Sequence, residues 1–350
     1  SDREKVKIIY EFMQSRTRYI NISLGIGGLQ PFDATTVDQT GYGDCKALTN
    51  YMSALLKAAD IESHYTLVKA GTGKYEIDDI LPANQFNHVI LCVPLGNDTI
   101  WLECTSQVNP FGYLGSFTDN RPVLIIKEDG GHLARTYGYT PAQNSYNTRA
   151  VVEIDGKGNG NAEVSLNRGG IFFEDFHAPM MLSPDEQQRW IYRNFVFPNY
   201  TVNSHAFDSE LEESPEAVIK LGLNLRSFAD ASGSRLFIPV FSMIPGRSVP
   251  PRVRNRLHPF RTNFPMTYSD TIHMQLPNGY ALESGIPDLD LTSDFGTYST
   301  KLTVEGNKIV FVRSMEVFKG YWEAEQYENY FRFFQQIARV ETQKIVFSRQ

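Results

Sequence analysis

Gly41-Tyr42-Gly43-Asp44 runs straight into Cys45, and from there apolar residues fall at Leu48, Tyr51, Met52, Leu55, Leu56 and Ala59. That i, i+3, i+4 spacing is the stripe of an amphipathic helix. The two glycines ahead of it permit a tight bend. A thiol in the first turn of a helix meets unpaired backbone N–H groups and the positive end of the macrodipole, and both favour thiolate over thiol. Lys46 adds positive charge nearby and Asp44 partly opposes it. Position alone leaves two readings of Cys45: a nucleophile facing a cleft, or a small residue packed under the helix, as free cysteine commonly is. The chain spends only three cysteines on 350 residues. That is too few for a disulfide framework, and no Cys/His spacing suits zinc, so the redox compartment stays open.

Around this segment, residues 1 to 145 alternate helix and strand signals. The opening stretch SDREKVKIIYEFMQSRTRYI carries Val6, Ile9, Tyr10, Met13 and Thr17 on one stripe, with Ser1 as its cap and Asp2 and Glu4 at its positive end. A chain that begins in a helix without an initiator Met reads as a piece of a longer precursor. A long glycine-rich connection follows, the kind of loop that is often functional. IESHYTLV, FNHVILCV and TIWLEC read as strands. YTPAQNSYNT, residues 139–148, is polar and aperiodic and reads as a linker.

Beyond it the texture turns β-rich. TRAVVEIDGKGNGNAEVSL and YSTKLTVEGNKIVFVRSMEVF are hairpin signals. Ser183-Pro184 opens one helix, a second is expected from about Trp322 to Val340, and QKIVFS closes the chain as a strand. The expected architecture is α+β: a thiol domain over 1–145, then a mainly antiparallel, β-sandwich-like accessory domain over 146–350 with a C-terminal helix.

Composition narrows the function. A net charge of −7 argues against a nucleic-acid partner, which asks for a basic face. No apolar run approaches the roughly 18 residues of a membrane span. Asp155 opens DGKGNGNAEVSL, but Lys157 and Leu166 stand where a calcium loop needs carboxylates. Gly71-Thr72-Gly73-Lys74 lacks the spacing of a phosphate loop. The five arginines of residues 245–261 read as a solvated loop or an edge strand.

A nucleophilic thiol needs a base, and the base an orienting acid. His88 opens the strand HVILCV, where a polar residue has no packing reason to sit, and Glu103 closes the next strand. Gly96-Asn97-Asp98 between them is turn chemistry, so the two strands form an antiparallel hairpin. With an even loop, His88 and Glu103 share one face, opposite or diagonal, within carboxylate–imidazole reach. Cys104 then faces the other side, into the core. Cys92 shares the face of His88 but lies about 13 Å along the strand. An edge histidine and a solvated strand end are the plain alternatives; the ordered set of Cys, His and acid speaks against both.

GYGDCKALTNYMSALLKAADIESHYTLV, FNHVILCVPL and WLECTS resemble the three catalytic blocks of the transglutaminase-like superfamily, a papain-like thiol fold. YINISLGIGGLQP is similar to its bacterial branch, in which this domain sits between β-rich modules of unknown function. The resemblance covers residues 3 to about 110 well and the C-terminal half loosely. It implies Cys45 as nucleophile, His88 as general base and later acid, and Glu103 as orienting carboxylate. The family most often has Asp-Pro where this chain has Glu103-Cys104. The Cys45 N–H is one expected oxyanion donor; a side-chain donor comes from Gln30, Gln39 or Tyr42, and the family pattern favours Gln30. The implied activity is acyl transfer on a peptide or protein amide, hydrolysis first and amine transfer second, with no metal or organic cofactor. The rival is a catalytically silent module that holds a peptide or polysaccharide at the cell envelope. A periplasmic or extracellular place follows from the resemblance alone; oligomeric state is open.

Overall fold

The computed structural model of the chain describes all residues except 23–27, 72–75, 81–82, 212–213 and 245–248. Parts of the glycine-rich connection, of Gly71–Lys74 and of the arginine-rich segment lie outside the described residues. The chain divides into two compact units, 1–139 with 211–215, and 140–210 with 216–350. The whole is mixed α+β and rich in antiparallel strands. Among the described residues no helix is long and apolar enough to cross a membrane.

The first unit runs α1 (Asp2–Arg16), β1 (Arg18–Tyr19), α2 (Ala34–Thr40), β2 (Tyr42–Gly43), α3 (Cys45–Ala58) and β3 (His64–Val68). It continues with β4 (His88–Leu95), β5 (Asp98–Leu102), α4 (Gly115–Thr118), β6 (Pro122–Lys127) and β7 (Gly130–Arg135). Ser1 and Glu4 close a capping box on α1. The five longer strands form one antiparallel sheet in the order β5-β4-β3-β6-β7. One face packs under the helices, where Val6, Tyr10, Met13, Leu48 and Met52 meet Leu91, Val93, Ile100, Leu102 and Cys104. The other face buries Ile90, Cys92, Trp101 and Leu114. Both faces of β4 are thus covered, which is why it reads as an unbroken apolar run after His88.

The second unit comprises β8 (Ser145–Ile154), β9 (Gly160–Gly169), α5 (Phe173–His177), α6 (Pro184–Asn194), β10 (Tyr200–Glu210), β11 (Glu216–Leu225) and β12 (Asp230–Ser232). Then come β13 (Arg235–Ile238), β14 (Phe260–Thr262), β15 (Met266–Gln275), β16 (Tyr280–Ser284) and β17 (Leu289–Ser293). The last elements are β18 (Gly296–Glu305), β19 (Lys308–Val317), β20 (Gly320–Trp322), α7 (Tyr327–Glu341) and β21 (Ile345–Arg349). An eight-stranded sheet has the order β10-β11-β9-β8-β15-β19-β18-β17, and a four-stranded one the order β12-β13-β21-β16. Within the large sheet, among the described residues, only β8 and β15 pair in parallel. The aromatic face of α7, with Phe333, Phe334 and Ile337, packs on Tyr268, Tyr298 and Met315.

The boundary between the two units falls at 139/140, inside the stretch expected as a linker, but the last residues of that stretch are built into the second unit. Strand β8 begins at Ser145, inside that stretch, bonded to β9 and β15 on either side. Asn144 is wholly buried, donating to the Pro265 carbonyl at 2.9 Å and accepting from the Ile171 N–H at 3.0 Å. Polar residues satisfied inside the fold look like a linker when only composition is visible.

Candidate functional site

The turn before Cys45 needs its glycines for packing as well as for bending. Gly41 ends α2 at φ +69°, and a Cβ there would lie 3.1 Å from the Arg16 carbonyl. A Cβ on Gly43 would lie 2.8 Å from that of Ala47. Both glycines let the segment lie against α1's end, where the Arg18 and Ile20 N–H groups donate to the Gly41 and Gly43 carbonyls at 3.0 and 2.9 Å. Asp44 caps α3 by accepting from the Ala47 N–H at 3.0 Å and pairs with Lys46. Cys45 therefore stands at the first helical position, partly exposed, while Cys92 and Cys104 are buried.

His88 opens β4 and is buried. The hairpin register pairs Leu95 with Asp98 and Leu91 with Leu102, with Gly96 at φ +61° in the turn. Continuing that register sets Glu103 opposite Ile90, one diagonal step from His88, and Thr105 opposite His88 itself. His88 Nε2 meets the Glu103 carboxylate oxygens at 2.9 and 3.1 Å. The Cys45 side chain lies close enough to the same imidazole to favour its charged form. Burial pulls the imidazole's pKa down, but the Glu103 charge, the Cys45 contact and the Glu103 hydrogen bond outweigh it and push His88 up to about 10. Burial likewise pushes Glu103 up, and the His88 charge with donors from His88 and Thr105 holds it below its ordinary range.

Cys45, His88 and Glu103 are thus brought together. Gln30 is exposed ahead of α2, without a hydrogen bond to any of the three among the described residues, and Tyr42 is half-buried on β2. Sequence reasoning missed four neighbours. Thr105 gives Glu103 Oε1 both its hydroxyl, at 2.5 Å, and its N–H, at 3.1 Å. The alternation Glu103-Cys104-Thr105 already put it on the right face. Asn87 holds Ala70 by both backbone groups, accepting its N–H at 2.7 Å and donating to its carbonyl at 3.1 Å, immediately before His88. Tyr19 pairs with Gly43, and its phenol is raised by burial and then by the proximity of Cys45 and Asp44. Phe117 sets its ring edge-on to His88, 5.1 Å between centroids. Nothing local in the sequence marked these last three. Among the described residues no group of three or more His, Cys, Asp and Glu side chains could hold a metal ion.

Residues 234–347 match a family model described as a domain of unknown function with solved structure, DUF3858. That match covers less than half of the chain. A crystal structure of a protein from Parabacteroides distasonis, described as a putative protease, is similar at a TM-score of 0.54 and 15% sequence identity. The alignment covers 99% of this chain and 52% of that one, so this chain spans about half of that protein's length. At such identity the likeness is one of fold. No curated protein matches the chain.

Proposed function

We propose that the first unit is a thiol-dependent amide hydrolase of transglutaminase-like, papain-like type. The carrying observation is the buried His88 imidazole, hydrogen-bonded to Glu103 at 2.9 Å and with the Cys45 side chain close enough to favour its charge. In this reading the proton shared between Cys45 and His88 resides on the imidazole, and the sulfur attacks the carbonyl carbon of a peptide amide. The oxyanion meets the Cys45 N–H at the start of α3, with Gln30 or Tyr42 as side-chain donors. The imidazolium then protonates the leaving amine, the C–N bond breaks, and a thioester remains. Water attacks the thioester as His88 takes its proton, and the thiol leaves as the free acid forms. Glu103 fixes the ring and keeps the imidazolium favourable throughout. The fold shared with a protein described as a putative protease agrees with peptide amides as the substrate class.

The experiment is release of new amino termini from an unfolded casein substrate, with Cys45→Ala as the control. Loss of release by about 10³-fold or more in the variant, at an unchanged melting temperature, is the expected outcome. Equal release by Cys45→Ala, or none by the native protein, would sink the reading. Incorporation of monodansylcadaverine in place of water would turn it to amine transfer.

A further inference from the structure

Phe117 is a large apolar side chain left 46% exposed, on a backbone that is unusually well held. Arg121 is wholly buried and spends its guanidinium on that backbone. Nη2 donates to the Ser116 carbonyl at 2.9 Å and Nε to Asp119 at 3.0 Å. Nη1 donates to the carbonyls of Lys69 and Gly71 at 3.0 and 3.1 Å. The Gly71 N–H donates to the Phe117 carbonyl at 2.9 Å, and Asn87 grips Ala70 from the other side. Burying a guanidinium is costly unless its donors are used. Here they lock the segment that presents Phe117 to the residues just after β3, which Asn87 ties in turn to the start of β4 at His88. The ring leaves nearly half of its own area exposed, so its packing alone does not account for this machinery.

We propose that Phe117 is a specificity-determining wall of the thiol cleft, contacting an aromatic or branched apolar side chain on the substrate residue next to the amide being cleaved. This rests on the hydrolase reading above. The His88 imidazole has Phe117 in edge contact, 5.1 Å between ring centroids, and Cys45 close enough to favour its charge, so ring and thiol neighbour the same imidazole. Basic side chains are disfavoured there, because the neighbouring imidazole carries positive charge. Any charged side chain would also have to give up water against the phenyl ring, which offers it no hydrogen bond in return. A flat apolar group loses nothing and gains edge or face contacts.

The test needs no known substrate. Alkylation rates of Cys45 by N-benzyliodoacetamide and by iodoacetamide are compared, with N-acetylcysteine as the reference and peptide mapping to exclude Cys92 and Cys104. In the native protein the benzyl-to-plain rate ratio should exceed that of N-acetylcysteine by about tenfold. Phe117→Ala should bring it to within about twofold of the reference, and Phe117→Leu should fall between. Dividing by the iodoacetamide rate removes any change in thiol reactivity caused by the substitution. A native ratio equal to the reference, or one that survives Phe117→Ala, overturns the proposal. Failure of the hydrolase reading looks different: the iodoacetamide rate itself would be no faster than that of N-acetylcysteine, whatever the ratio.

Discussion

Each unit buries a carboxylate beside a cation, and the two end with opposite protonation tendencies. Glu103 receives His88 at both oxygens and two donors from Thr105. Burial pushes it up, yet that partnership holds it below its ordinary range. Asp270 on β15 is as deeply buried and takes Arg313 Nε and Nη2 on one oxygen, at 2.8 and 2.7 Å. Its Oδ1 has no hydrogen bond of ordinary geometry, and Arg313 also serves Glu341 through Nη1 at 2.6 Å. There burial wins and the carboxyl is pushed up, with Arg313 and a weaker contribution from Thr148 opposing. The counter-charge is the largest lowering influence on both carboxylates; Glu103 adds donors to both oxygens, whereas Asp270 takes its cation on one oxygen only. The difference also separates roles. The Glu103 partner is a proton carrier beside a thiol, whereas the Asp270 partner never gives up its proton near neutral pH.

The sharpest way to break this contrast is Glu103→Gln, which keeps shape and removes charge. His88 loses its largest raising influence, burial then pulls it down, and amide turnover should fall on the order of 10²–10⁴-fold. Hydrogen exchange in β15 and β19 should not change. Turnover within threefold of native would make Glu103 as structural as Asp270. The converse change is Arg313→Met, which strands Asp270 and Glu341 without their cation. A loss of about 3–5 kcal/mol is expected in the protection of β15 and β19, with Cys45 alkylation in the folded protein keeping its rate. Equal loss of protection in β4 and β5 would mean that the two networks share one cooperative unit.

Legibility in the sequence followed the same divide. The Cys45 helix, the β4–β5 hairpin and the face shared by His88 and Glu103 rest on patterns within a few tens of residues, and the structure has each of these elements. The two second-unit hairpins expected from sequence, β8–β9 and β18–β19, were legible for the same reason. The parallel pairing of β8 with β15 was not, because alternation says which residues face inward and not which strand lies alongside. Nor was the Arg313 network, whose partners come from β15 and α7. Arg121 and Phe117 were invisible for another reason. Helix α4 has only four residues, too short for any periodic signal.

Acidification should separate the units more gently. Glu103 is depressed in the fold, so its contribution is present above its ordinary 4.5 and lost as pH falls through the folded value. His88 is raised, so its contribution is full below 6.5 and lost as pH rises through about 10. Asp270 is raised, so its contribution is present below 3.8 and lost as pH rises through its folded value. Between pH 6 and pH 3.5, β4 and β5 should therefore lose protection relative to β15 and β19, by on the order of 1 kcal/mol. Parallel loss in both pairs of strands would remove the assigned difference in sign.

The smallest expected effect tests how much the donors add to the imidazolium charge. Thr105→Val keeps volume, removes the 2.5 Å hydroxyl contact to Glu103 Oε1 and leaves the 3.1 Å N–H bond in place. A hydrogen bond to a charged group contributes about 1.5–3 kcal/mol, and exposure of this residue to water puts the expected loss nearer about 1 kcal/mol. Glu103 should move up toward its ordinary range, so loss of stability on acidification should set in at higher pH, as should the acid limb of kcat/KM. His88 keeps its carboxylate at neutral pH, and turnover there should fall by less than about fivefold. An acid limb that stays where it is while stability drops would assign the depression of Glu103 to the imidazolium alone. Glu103 and Asp270 would then differ in the mobility of their cation's proton, and the donor count would no longer explain why one carboxylate is held down and the other is not.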